Sequence, residues 1–283
     1  MAREEAEREL QRSTASEEEN QEEDLLEEEE VSTAGNGDEE EPAAGGEGEE
    51  GRSKLPKGRW LPTTISGQDL QQLVEDGVLL PQAASGWRIL SANDVPPSPA
   101  DGERVVFRAH FERGFSMPPS KFLLDILARY NAQMHNFPPN SIQVVSGFVA
   151  LCEGYLGIEP SVELFEYFYS IKREPIERGK ELAICGSISF KFRGNRNFPE
   201  FKGHDSVKTW QSNFFYVKHT AAPESAGLPA FQPTAATENA NWKGKGKLPS
   251  DPVLIRCIRR IDRLMLDGLK GLDLVLCWMT RRI

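Results

Sequence analysis

Few residues in this chain are spaced for catalysis. An aspartic-protease turn reads Asp-Ser/Thr-Gly, so that two chains bring paired carboxylates to share one proton. Here Asp205-Ser206 runs into Val207 instead. Two-metal chemistry needs clustered carboxylates, whereas Glu112, Asp125, Glu153, Glu163 and Glu166 are scattered along amphipathic segments. Most of these acids read as solvated faces; Glu153, on a stripe with Ser146 and Ala150, is placed to meet a neighbouring helix. Gly244-Lys245-Gly246-Lys247 lacks the spaced leading glycine and trailing Ser/Thr of a phosphate loop, and reads as a basic linker segment. A zinc knuckle needs cysteines two apart with a nearby histidine. Cys152, Cys185, Cys257 and Cys277 are far apart, and His110, His135, His204 and His219 have no such neighbours. No catalytic residue, metal site or cofactor is expected.

One pattern has chemistry in it. Between Lys172 and Lys218 stand ten bases against five acids. Ile188, Phe190 and Phe192 alternate with Ser189, Lys191 and Arg193, the period-two signature of a half-buried strand. Lys191 and Arg193 then share the solvent face, with Arg196, Lys202, Lys208 and Lys218 nearby in sequence. Clustered cations of this kind neutralise phosphates, and Phe198 or Tyr216 would stack on unpaired bases. The alternative is a solvated sheet face whose aromatic residues all belong to the core. Arg256, Arg259, Arg260 and Arg263 read as a solvated helix face.

Overall charge hides this basicity. Of 283 residues, 44 are acidic and 33 basic, a net of −11. Residues 1–50 hold 21 acids and 3 arginines, which is −18, so the remaining 233 carry +7. Such a tail is expected to serve as a solubility device; the alternative is that it competes with a polyanion for the Lys191/Arg193 face within a Debye length of about 8 Å. No apolar run reaches the roughly 20 residues that span a bilayer, and the N-terminus has no hydrophobic signal region. Widely spaced cysteines in apolar contexts suit reduced thiols. The expectation is a cytoplasmic or nuclear protein, not a secreted one.

The elements that position these residues follow from punctuation and period. Residues 1–54 form an acidic tail without an aromatic residue, expected to be disordered. Residues 55–100 read as a small helix-plus-strand module: Ser66 with Asp69 makes a capping box, Leu70, Leu73 and Val74 line one face, and Gly77 ends the helix. Val78–Pro81 and Trp87–Leu90 look extended. Residues 101–220 read as the core. Asp101 is placed to cap a helix bearing Phe107, His110 and Phe111, ended by Gly114. A helix from about Ser120 carries Phe122, Leu123, Ile126, Leu127 and Tyr130. A third starts at Asn140 as N-cap with Gln143 in the capping-box position, and its Ile142, Val145, Val149, Cys152 and Leu156 form one buried face. Ser161 caps a short helix with Val162, Phe165 and Phe168. The strand at Ile188–Phe192 is expected to pair with Phe214–Val217. Residues 221–250 read as a linker, and residues 251–283 as an amphipathic helical segment that opens at Ser250-Asp251-Pro252 and is truncated. The fold class is mainly α with a small β component: a helical core plus short antiparallel strands.

Ordered motifs carry a family resemblance. Val105-Val106-Phe107 through Arg113-Gly114-Phe115, Pro118-Pro119, Pro138-Pro139-Asn140-Ser141-Ile142, Phe148 with Leu151-Cys152-Glu153 and Gly157, and Pro160 together resemble the plant gypsy-type transposon (gypsy-type transposase) domain family. Trp210, Phe214-Phe215-Tyr216-Val217 and the Gly268–Asp273 and Arg281-Arg282-Ile283 segments fit its downstream pattern. The resemblance implies a non-catalytic, transposable-element-derived protein similar to the gag-like region of a gypsy-type retroelement. Its expected partners are further copies of itself, through Leu272, Val275, Leu276 and Met279, and RNA or DNA; no membrane and no small-molecule substrate is expected. The alternative is a DNA-binding transposition factor acting through the module at 60–90, where only Arg59 and Arg88 supply positive charge.

Overall fold

The structure, a computed structural model, describes residues 58–91, 94–176, 181–199, 206–218 and 227–266. The chain divides after Lys54, and every described residue lies in the second unit. The acidic tail, Cys277, Lys202 and the segment Leu272–Met279 lie outside the described residues.

Four helices begin where side-chain oxygens cap them, the last at Asp251, whose carboxylate accepts from the Val253 amide at 2.7 Å. The first, α1 (Gly67–Glu75), has the full capping box: the Ser66 hydroxyl accepts from the Asp69 amide at 3.2 Å, and the Asp69 carboxylate accepts from the Ser66 amide at 2.9 Å. Gly77, at φ 70°, follows its C-terminus. After the short α2 (Gln82–Ser85) and α3 (Arg108–Phe111) comes α4 (Lys121–Tyr130), capped by Ser120 on the Leu123 amide. Next is α5 (Pro139–Ala150), then α6 (Val162–Phe168), capped by Ser161 on the Leu164 amide, and finally α7 (Pro252–Leu266). Each cap satisfies an amide with no intrahelical acceptor, worth about 1 kcal/mol.

The core forms where the apolar faces meet. Phe122, Phe148 and Phe165 contact one another at 5.1–5.7 Å between ring centroids, and Phe137 and Phe190 stack at 5.1 Å. Removing such a ring from water stabilises the fold by about 2 kcal/mol. Ile65, Leu70, Leu73 and Leu79, from the helix-plus-strand module, lie in this same cluster. α5 does not continue as a regular helix to Leu156; its last stretch, Leu151–Leu156, is a π-helical turn that ends at Gly157.

Several expectations are corrected. Asp101 does not cap a helix over Phe107. Glu103–Phe107 is a strand, β1, and only Arg108–Phe111 turns helical. Val105-Val106-Phe107 is a β-branched and aromatic run, and a partner strand is available to fix it. That partner is β4 (Phe214–Lys218), antiparallel, with Val105 opposite Tyr216 and Phe107 opposite Phe214. The strand β3 (Ile188–Phe192) therefore does not pair with it. It pairs with β2 (Tyr169–Arg173), which emerges directly from α6, with Tyr169 opposite Phe192 and Arg173 opposite Ile188. Local closure costs less entropy than the longer connection. Asn140 is not an N-cap: Pro138 precedes the helix, Pro139 is its first residue, and Gln143 is buried. Where a linker is expected, residues 227–250 run as a strap packed on the core. Leu228, Ala236 and Trp242 are buried, and the Trp242 indole donates to the Tyr130 carbonyl at 3.0 Å.

Candidate nucleic-acid interface

The β2–β3 ribbon separates its side chains by the strand period. Tyr169, Ile171, Phe190 and Phe192 face the core, while Ser170 and Lys172 stand opposite Lys191 and Ser189 on the other face. Lys191 is exposed; Lys172 pairs with Glu174 at 3.1 Å, and the Ser189 hydroxyl donates to that same carboxylate at 2.7 Å.

Just past β3 the chain turns, and Arg193 behaves differently from Lys191. Its guanidinium is half-buried, with Nε donating to the Glu166 carbonyl at 3.1 Å and Nη2 to the Gly244 carbonyl at 2.6 Å. Burial, and then the neighbouring Arg196, lower its pKa from the ordinary arginine value. Arg196 lies 4.2 Å over the Tyr167 ring and donates to the Gly246 carbonyl at 3.3 Å. Below them Glu166 is held by Arg129 through two contacts of 2.7 and 2.8 Å and by the Tyr130 hydroxyl at 3.1 Å.

These two arginines grip the strap at alternate residues. Gly244 and Gly246 present their carbonyls to the arginines, and Lys243, Lys245 and Lys247 are all exposed. Gly246 sits at φ 61° with no room for a Cβ: one would collide with Arg193 and come within 2.8 Å of the Glu166 carbonyl. Only glycine allows the strap so close. The Lys-Gly alternation was the signal in the sequence for this contact.

Cations thus gather on β2, β3, the turn after it, the end of α4 and the strap. Lys172, Arg173, Lys191, Arg193, Arg196, Lys243, Lys245, Lys247 and Arg129 are nine cations, and Glu166, Glu174 and Glu238 are the three carboxylates that pair with them. Lys191, Lys245 and Lys247 carry no ion pair among the described residues. Of the cations expected from sequence, Lys191, Arg193 and Arg196 come together here. Lys208 is exposed on the turn before Trp210, and Lys218 ends β4 in the other sheet, opposite Glu103. Base stacking by Phe198 or Tyr216 is excluded, since both are buried: Phe198 packs on Phe168 and Tyr169, and the Tyr216 hydroxyl accepts from the Ser98 amide.

Among the described residues no three His, Cys, Asp or Glu side chains are placed to hold a metal ion, and no helix is long and apolar enough to cross a membrane. His110 and His135 are buried, with their Nε2 atoms 3.1 and 2.8 Å from the carbonyls of Phe137 and Thr234. Cys152, Cys185 and Cys257 are buried free thiols, and burial pushes all three pKa values up.

Residues 105–173 match a family model described as "Putative gypsy type transposon". Over that stretch the chain is similar to a gypsy-type transposon domain. The match runs from Val105 in β1 to Arg173, the last residue of β2, so it covers α3 to α6 and one strand of the ribbon. β3, the strap and α7 lie beyond it. No curated protein and no solved structure matches the chain.

Proposed function

We propose that this transposon-related protein is a non-catalytic, gag-like factor that binds the phosphate backbone of nucleic acid on its ribbon–strap face and associates with its own copies. The observation that carries the first part is the clamp of Arg193 and Arg196 on Gly244 and Gly246. It commits two guanidinium groups to fixing a backbone whose lysines at 243, 245 and 247 are exposed. Phosphate contacts of this kind make affinity fall with salt, by about 0.9 in the log–log slope per duplex phosphate and about 0.7 per single-strand phosphate. Replacing Lys243, Lys245 and Lys247 by Gln should lower the slope by about 2–3 for a 20-base-pair duplex. An unchanged slope for the duplex and for a 20-nucleotide RNA would remove this reading.

Self-association is assigned to Leu272, Val275, Leu276 and Met279. Its test is light scattering on a chain truncated after Leu266, which keeps the buried Leu254, Ile258 and Ile261 of α7 in place. A mass unchanged by truncation, or a monomer before it, contradicts the assignment. The alternative, a transposition factor reading DNA through residues 60–90, finds little cation to work with. Arg88 is committed to Glu103 at 2.6 Å, and α1 exposes Gln68, Gln71, Gln72 and Glu75.

A further inference from the structure

We propose that the arginine face of α7 is a second phosphate-binding surface, which engages the backbone of nucleic acid independently of the strap. The helix has its rotation fixed by burial: Leu254, Cys257, Ile258 and Ile261 are in the core. Arg260 adds a polar lock, donating to the carbonyls of Leu156 and Tyr155 at 2.9 and 3.2 Å, where the π-helical turn ends. With the apolar face committed, Arg256, Arg259 and Arg263 are exposed. At 100° per residue, Arg256 and Arg263 lie within about 20° of each other, and Arg259 about 60° away. They form one stripe about 10.5 Å long, which matches about three nucleotide steps of a duplex strand.

The lack of ion pairs among the described residues and the choice of arginine mark this stripe. Surface helices place acids three or four residues from bases, because such pairs attract and like pairs repel. Here Arg256 and Arg263 each have Arg259 and Arg260 as neighbours at that spacing, while the acids at that spacing are Asp262, three residues after Arg259, and Asp267, four after Arg263. The helix has one acid, Asp262, which is half-buried, and Asp251 is engaged at the start, accepting from the Val253 amide at 2.7 Å. Arg256, Arg259 and Arg263 make no ion pair among the described residues. All four cations are arginine and none lysine. The guanidinium fork matches the oxygens of a phosphate in two parallel hydrogen bonds, which an ammonium cannot do. Unpaired arginines in register, with a repulsion that a polyanion relieves, are complementary to a phosphate backbone.

The test uses the full chain and two substitution sets, read by fluorescence anisotropy on a 20-base-pair duplex between 50 and 200 mM salt. R256Q/R259Q/R263Q keeps helix propensity and leaves Arg260 in its lock. It should weaken binding at least tenfold at 50 mM salt and lower the salt slope by about 2–3. R256K/R259K/R263K, which keeps the charge, should restore the slope while recovering only part of the affinity. A glutamine variant with wild-type slope and an unshifted melting temperature overturns the proposal. So does equal loss in the glutamine and lysine variants, which would mark a packing role. Polyglutamate that displaces the duplex as well as unlabelled duplex of equal charge overturns it in favour of an acidic protein partner. The strap variant K243Q/K245Q/K247Q, measured in parallel, separates the two surfaces: loss there alone leaves the ribbon–strap reading standing and this one fallen.

Discussion

Lowering the pH from 7 to 5 should remove about 4 kcal/mol of folding stability, through two histidines. His110 is fully enclosed by Phe107 and Trp210, with ring centroids 5.0 and 5.4 Å away, and His135 lies against Trp60 and Phe231 at 5.0 and 5.5 Å. Each Nε2 faces a backbone carbonyl and so carries the proton, which leaves Nδ1 as the atom that would be protonated next. Nδ1 of His110 is buried without a hydrogen-bond partner, so a proton there would be a buried charge with no acceptor. Burial lowers the pKa of His110 to about 3 and of His135 to about 4, from an ordinary 6.5. Both folded-state values are depressed, so the neutral ring is what the fold stabilises. That stability is complete above the unfolded pKa and declines as pH falls, because the unfolded chain takes up protons first. At pH 5 the unfolded chain has gained nearly one proton at each site and the folded chain almost none. The loss is about 2 kcal/mol per histidine, and it depends little on the folded values so long as they lie below 5. Carboxylates do not compete in this window. Asp69 and Glu103 are held below their ordinary values by hydrogen bonds from Ser66 and Arg88, so their contribution is lost only as pH falls below about 4. Urea unfolding followed by tryptophan fluorescence at pH 7, 6 and 5 measures the slope. H110Q, which retains a donor toward Phe137, should halve it whatever its own effect on stability at pH 7. A flat profile between pH 7 and 5, or imidazole NMR signals from either ring titrating near 6.5, would refute the reasoning.

Two further predictions concern the strap. Trp242→Ala removes a buried indole and its hydrogen bond to the Tyr130 carbonyl, and should cost about 3–5 kcal/mol in chemical unfolding, as a core substitution does; a cost under 1 kcal/mol would mean that the strap is not part of the core. Gly246→Ala places a Cβ at φ 61° against Arg193 and the Glu166 carbonyl, so the strap should lift and become a site of limited proteolysis near Lys245 and Lys247, with a weaker salt dependence of nucleic-acid binding. Unaltered cleavage and binding would show that the clamp tolerates a side chain.

What the sequence by itself determined are the features written within one turn of chain. Ser66, Ser120 and Ser161 cap their helices because an N-cap reaches only two or three residues ahead. The face of Phe122, Leu123, Ile126, Leu127 and Tyr130 was readable because a single period decides it. The same holds for the alternation of Ile188, Phe190 and Phe192, and for the motif string similar to a gypsy-type transposon domain. Only the tertiary structure decided what depends on which partner arrives. Val105–Phe107 became a strand because β4, more than 100 residues away, supplies the hydrogen-bonding edge. Arg193, expected on the same solvent face as Lys191, turned inward once the carbonyls of Glu166 and Gly244 came within its reach. The glycine and alanine composition of residues 227–250 reads as flexible, yet those small residues are what allow a strap to lie flat against α4 and the ribbon. Local hydrogen bonds and periodicity are properties of neighbours in sequence; pairing, clamping and burial are properties of neighbours in space, and they redirected the cations on which the proposed function rests.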